Sequence, residues 1–323
     1  PTRRSSDLQV RIANGRRSNM AREFKLPKIL ITGADGQVGF ELKRTLAPLG
    51  EIIALVRADL DLSDAVATSA TLDKYQPDII VNPAAYTAVD KAESDVDMAY
   101  AVNAQAAGVM ARWAQKHGAM LIHYSTDYVF DGTKSGAYVE SDLIAPQSVY
   151  GASKAQGEQL VRKACAAHFI FRTSWVFGAY GVNFLKTMLN LMKTRDTLNV
   201  VNDQFGAPTS AFLLADVTAH VLRDAWLKRQ NGELPAYGTY HLTASGSTSW
   251  HGYAQYIATL AEQAGVALKM SSAQIKGIPS SEYPTPAKRP ANSCLDTRLL
   301  QNTFGLRLPD WQDAVRHAFT LIQ

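Results

Sequence analysis

Residues Thr32-Gly33-Ala34-Asp35-Gly36-Gln37-Val38-Gly39 constrain this chain more than any other stretch. They follow an apolar run, Lys28-Ile29-Leu30-Ile31, and precede a helix-like stretch, Phe40 to Leu46. Strand, glycine-rich turn and helix N-terminus in that order make a phosphate cradle. The first glycine permits a tight turn, the second removes the Cβ that would block a pyrophosphate, and the third lets the helix pack closely. The spacing is G-x-x-G-x-x-G rather than G-x-G-x-x-G. A glycine triplet alone also suits a plain structural turn; the order of the flanking elements favours the cradle.

The 323 residues, 46% of them hydrophobic, are ample for a large core, in one domain or two coupled ones. With no run of about 18 apolar residues, no membrane span is expected. Two cysteines, Cys165 and Cys294, make no disulfide framework and lack metal-ligand spacing. They read as inert thiols in a reducing compartment. The seven histidines show no H-x-x-x-H cluster, so no metal is expected. The net charge of +4 is concentrated in residues 1–27, where seven basic residues face two acidic ones. That tail carries +5, which leaves the body at −1, so a nucleic-acid function loses its main support. The tail has no secretory h-region. It reads as a disordered basic arm or as non-native sequence ahead of a start at Met20.

Further along, Glu51–Val56, Asp78–Asn82, Ala119–Tyr124 and Phe169–Arg172 read as buried strands, with helical stretches between them. The clearest helix runs from about Asp90 to His117 and ends at Gly118, a C-cap signal. Short apolar strands alternating with helices predict βαβ units, hence an α/β, Rossmann-type doubly wound parallel sheet. Past about residue 175, proline, glycine and aromatics increase, which predicts a smaller substrate-binding region. Tyr240-His241-Leu242 reads as a strand returning to the main sheet, so the two regions should interleave. The expected division is 28–175 plus about 210–245 for the dinucleotide-binding domain, and about 176–209 and 246–323 for the second region.

The chemistry centres on Tyr150-Gly151-Ala152-Ser153-Lys154. Residues four apart share a helix face, so phenol and ammonium can meet. A phenol titrates near 10, and a neighbouring cation should draw it down toward neutral pH. A Tyr-x-x-x-Lys pair is often just a surface pair. Here it lies about 25 residues beyond Ser125-Thr126, at the carboxyl end of a parallel strand, the edge where ligands bind in such sheets. Ser125 or Thr126 can donate to a carbonyl oxygen and stabilise the alkoxide forming there. Asn103 is a further candidate, anchoring Lys154 through a water.

These residues resemble the extended short-chain dehydrogenase/reductases and, within them, the dTDP-4-dehydrorhamnose reductase family. The resemblance covers nearly all of residues 28–323. It rests on the glycine loop, Pro77–Asn82, Ala84–Glu93, Tyr124–Gly132, Val149-Tyr150-Gly151 with Lys154, Arg172–Val176, Asn202–Thr209 and Pro284–Pro290. It implies a cytoplasmic enzyme that reduces the 4-keto group of dTDP-4-dehydro-L-rhamnose to dTDP-L-rhamnose, for cell-surface polysaccharide, with NADPH or alternatively NADH. On this resemblance Tyr150 is the proton donor, Lys154 tunes it and holds the nicotinamide ribose, and Thr126 with Ser125 polarises the carbonyl. Gly33, Gly36, Gln37, Val38 and Gly39 would contact the pyrophosphate, while Ala84, Ala85 and Tyr86 would border the cofactor. Asp127 and Trp175 would line the sugar site, with Asn183, Gln204, Phe205 and Arg289 on the nucleotide-sugar half. Arg289 suits a diphosphate through its planar fork.

At the end of the second strand, where many NAD-binding folds carry an acid, the chain reads Leu55-Val56-Arg57. Nothing there repels a 2′-phosphate, so NADPH should be preferred, with Asp61-Leu62 as the adenine-proximal turn. Some relatives hold a magnesium ion at a dimer interface; Glu41 fits one ligand position, but an exposed helix Glu is the simpler reading. A homodimer stays open, and the partner expected is a dTDP-sugar, with neither nucleic acid nor membrane. Two rivals remain. A nucleotide-sugar dehydratase or epimerase shares the scaffold, but Asp127 is followed by Tyr128, so the second carboxylate needed for elimination is absent. A non-catalytic regulatory subunit would be free to lose Tyr150, Lys154 and Thr126, which this chain keeps.

Overall fold

The computed structural model describes residues 25–323, and the expectations for the tail lie largely outside the described residues, in 1–24. Six strands make the main sheet: β1 (Lys28–Ile31), β2 (Glu51–Ala54), β3 (Ile79–Asn82), β4 (Met120–Thr126), β5 (His168–Thr173) and β6 (Gly238–His241). Their order is β6-β5-β4-β3-β1-β2 and every pairing is parallel. The order reverses between β1 and β3, and a crevice opens there at the carboxyl edge, where ligands of such sheets bind.

The strands are apolar on both faces because both faces are covered. In β1, Ile29 and Ile31 enter one core with Leu42, while Leu30 enters the other with Ile80, Leu121 and Ile170. Helix α1 (Gln37–Leu46) packs on α6 (Ala211–Gln230) in the first layer. Helices α2 (Ala65–Tyr75), α3 (Ala106–His117) and α4 (Val149–Ala164) pack in sequence in the second. Helices α5 (Phe184–Thr194), α7 (Trp250–Gln263) and α8 (Trp311–Ile322) complete the first core, so the later part of the chain shares its apolar interior with the sheet. Short two-stranded pairs, such as Leu198–Val201 with Ile275–Ile278, lie outside the main sheet.

The helix expected over Asp90–His117 is four segments. Val89–Ala92 and Val96–Tyr100 are short helices, Ala101–Gln105 is a π-helical turn, and α3 follows. Gly118 closes α3 in a left-handed conformation, as its position suggested. The π-turn holds an extra residue, a distortion that clusters at functional sites, and it carries the fully buried Asn103.

One buried ion pair binds the second layer to the sheet. Arg172 on β5 donates from Nε and Nη2 to the two carboxylate oxygens of Glu158 on α4, both at 2.8 Å. Its Nη1 reaches Glu140 O at 3.1 Å, and its plane lies over the Phe130 ring. Arg162 donates to Glu158 as well, at 2.8 Å. Removing one partner would strand the other's charge in the interior. Glu158→Gln should therefore lower stability by about 3–5 kcal/mol in urea unfolding, and Glu158→Leu with Arg172→Met should recover a large part of that loss.

Candidate functional site

The glycine turn between β1 and α1 has the shape its sequence demands. Gly33 has φ +55°, and a Cβ there would lie 2.9 Å from Ala84 Cβ. A Cβ on Gly39 would fall 2.1 Å from Gly33 O, so the third glycine lets α1 close onto the turn itself. Gly36 precedes α1 in an extended conformation, and no side chain caps the helix. The first-turn amides are thus left for an external anion, assisted by the helix dipole.

A cleft of about 550 Å³ runs from this turn along the carboxyl edge. Gly33, Gly36, Gln37, Val38 and Gly39 line one end. Arg57, Asp61 and Leu62 line it beyond β2, and Ala84, Ala85 and Tyr86 beyond β3. Ser125, Tyr150 and Lys154 line its inner part. The Asp61 carboxylate accepts from Ser63 N and Oγ at 2.9 and 2.8 Å, which lowers its pKa, and Arg57 lies 3.9 Å away. Asp59 Oδ2 accepts from Val56 N at 3.0 Å, so a carboxylate does sit against the strand end, though Arg57 and Asp61, not Asp59, line the cleft.

Asn103 stands behind this wall rather than in it. Its Oδ1 accepts from Tyr86 N at 2.8 Å, and its Nδ2 donates to Tyr86 O at 3.1 Å and Ser153 Oγ at 3.0 Å. With its amide committed to the Tyr86 backbone and to α4, it fixes the wall and makes no direct side-chain bond to Lys154. Helix α4 reaches the π-turn through Gly157, where a Cβ would lie 2.2 Å from Asn103 O.

Lys154 is 2% exposed; its Nζ donates to Tyr124 O at 2.5 Å and lies 3.4 Å from His123 Nε2. Burial lowers its pKa to about 8, against the opposing pull of Glu158. Tyr150 departs from expectation: burial pushes its phenol well up, the Thr126 hydroxyl bonded to it pulls down, and Asp127 and Tyr128 add to the rise. Desolvation of the phenolate outweighs any help from the lysine. Of the two expected hydroxyls, Thr126 lies against the phenol with its Oγ1 donating to Asp127 Oδ1 at 2.9 Å, whereas the Ser125 hydroxyl is buried without a hydrogen-bond partner among the described residues. Asp127 is fully buried beside Thr126, with its carboxyl raised to about 6 by desolvation against hydrogen bonds from Ser293 and Thr126.

The nucleotide-sugar candidates divide. Trp175 adopts φ +49° and stacks on Trp250 with ring centres 3.6 Å apart. Its edge presses on Gly206, where a Cβ would meet the ring at 2.7 Å. Gln204 is buried, while Phe205 is half exposed and lines a second cavity of about 490 Å³ with Lys134, Asn292 and Cys294. Asn183 caps α5 and donates to Gln37 Oε1 at 3.0 Å, so it braces the glycine-turn end of the first cleft. Arg289 is held by Asp90 at 2.8 Å and hydrogen-bonds the Tyr128 phenol, rather than standing free for a diphosphate. Sequence reasoning missed Gly157, Trp250, Glu158 and His123. The sequence signals for them are weak: Glu158 repeats the spacing of Tyr150 and Lys154, and His123 interrupts an apolar strand.

A family model described as RmlD substrate binding domain matches residues 27–323. A dTDP-4-dehydrorhamnose reductase from Burkholderia thailandensis is 49% identical over 288 residues, covering 89% of this chain and 96% of the relative. The crystal structure of a dTDP-4-dehydrorhamnose reductase from Clostridium acetobutylicum superposes with a TM-score of 0.82 at 38% identity, covering 92% of this chain and 99% of that one. A dTDP-4-dehydrorhamnose reductase from Bacillus anthracis, solved in complex with NADP, gives 0.81 at 36% identity, with the same coverage.

Gly157→Ala forces a methyl onto a backbone carbonyl that cannot yield. It should cost about 1–3 kcal/mol in urea unfolding, and Gly136→Ala, where a Cβ would meet nothing, should lose only what its φ of +96° imposes.

Proposed function

The chain belongs to the RmlD substrate binding domain family and to the dTDP-4-dehydrorhamnose reductases within it, and on that premise we propose that it uses NADPH to reduce the 4-keto group of dTDP-4-dehydro-L-rhamnose. The observation that carries the reading is one cleft joining an uncapped glycine cradle to Tyr150 and Lys154, with the Thr126 hydroxyl on the phenol. The cradle fits a pyrophosphate, because its close approaches leave no room for side chains. The bound dinucleotide supplies a hydride.

The remaining work belongs to the chain. The first-turn amides of α1 and Gln37 hold the pyrophosphate, and Arg57 faces the 2′-phosphate. Lys154 holds the ribose. Thr126 and Tyr150 orient the ketone oxygen. Burial keeps the phenol protonated at neutral pH, as a proton donor must be, and it gives up that proton only to the strongly basic alkoxide that develops beside it. Asp127 and Trp175 line the sugar end. We assign residues 28–175 plus about 210–245 to cofactor binding, and about 176–209 and 246–323 to the nucleotide sugar. The NADP complex of the Bacillus anthracis relative supports the cofactor. Two free thiols accord with a reducing cytoplasm.

NADPH oxidation with the substrate generated in situ tests the reading. Tyr150→Phe should lower kcat by about 10²–10⁴-fold with the fold intact; an unchanged rate would remove Tyr150 as the donor. Arg57→Ala should raise the Kd for NADPH about tenfold, near 1.4 kcal/mol, and leave NADH binding unaltered. The lysine must be an ammonium to hold the ribose, so kcat/KM should be flat at neutral pH and fall as pH rises through about 8.

A further inference from the structure

Behind Lys154 runs a buried polar chain that the reaction above does not use. Thr32 stands just beyond β1, Asn82 at the carboxyl end of β3, and His123 beside Asn82 in the middle of β4, each no more than 2% exposed. Thr32 Oγ1 lies 2.6 Å from Asn82 Oδ1, Asn82 Nδ2 lies 3.1 Å from His123 Nδ1, and His123 Nε2 faces Lys154 Nζ at 3.4 Å. A separation of 2.6 Å suits O–H···O and is short for N–H···O, so the Asn82 oxygen faces the threonine and its amide N–H faces the imidazole. His123 Nδ1 is then an acceptor, and the proton of the neutral ring sits on Nε2.

We propose that the Thr32–Asn82–His123 chain is a positioning device that aims the His123 Nε2–H at the Lys154 nitrogen and biases that nitrogen toward its neutral amine. An N–H accommodates an amine lone pair and opposes an ammonium, while Tyr124 O accepts an N–H from either form. The charged group acting on the pair is Glu158 on α4, itself matched by Arg172 on β5. The low proton affinity of Lys154 is in keeping with this. The consequence, which rests on the reductase reading, is that the site loses its ribose-holding ammonium closer to neutral pH than a lysine facing an acceptor would.

The tautomer is directly observable. In ¹⁵N-histidine NMR spectra of the cofactor-free protein, with His123 assigned through the backbone, Nε2 should carry the proton and Nδ1 the lone pair. Asn82→Asp presents only acceptors to the ring and should move the proton to Nδ1. The alkaline fall of kcat/KM, and of NADPH affinity, should then shift up by about one pH unit. Thr32→Val frees the Asn82 amide to turn and should shift both in the same direction by less; it decides the matter if Asn82→Asp fails to fold. A wild-type Nδ1–H tautomer, or a moved proton with an unmoved alkaline limb, overturns the proposal. Full turnover in Lys154→Ala would instead overturn the reductase roles, and the NMR result would stand apart from it.

Discussion

The Glu158–Arg172 pair is the interaction on which the rest of the site depends. Tyr150, Lys154 and Glu158 lie at successive four-residue intervals, so α4 turns all three toward the sheet. The helix is therefore clamped at its third position by a bidentate bond to β5 while its first two serve the cleft. The same guanidinium reaches Glu140 O, and Glu140 in turn accepts from His241 N on β6. Tyr138 N, two residues earlier, bonds Cys294 O in the late part of the chain. One charge pair thus connects α4, two strands and the later region.

Around that clamp, the site is built from close backbone approaches more than from side-chain contacts. Gly33 against Ala84, Gly39 against Gly33, Gly157 against Asn103 and Gly206 against Trp175 each bring main chain or ring to distances that a Cβ would forbid. Asn103 then ties the wall at Tyr86 to α4. The cleft is shaped by where chains can touch, and the reactive side chains follow from that geometry.

Much of this was legible in the sequence. The main-sheet strands were readable because parallel strands are apolar on both faces, and the glycine turn because its spacing between strand and helix has a steric reason. Nearly every cofactor-side residue lines the cleft, since these residues sit at strand ends and strand ends are visible in the pattern. The hydrogen-bond partners of Asn103 and Arg289 were not readable. Side-chain partners 17 and 199 residues away in sequence decide where their polar atoms go, and no local pattern encodes them. The Asp90–His117 helix hid its breaks because short helical pieces and a π-turn keep nearly the same apolar spacing.

What the sequence alone determined is the chain's alternation of apolar strands and helices, the tight glycine turn between β1 and α1, and the placing of Tyr150 and Lys154 on one helix face. These depend on local periodicity and on the sterics of a few residues. What only the tertiary structure decided is the electrostatic state of that pair. Burial raises the phenol and lowers the lysine, and a histidine two strands from β1 and its glycine turn meets the lysine nitrogen. Desolvation depends on everything packed around a group, and that sum exists only once the sheet and both helix layers have closed.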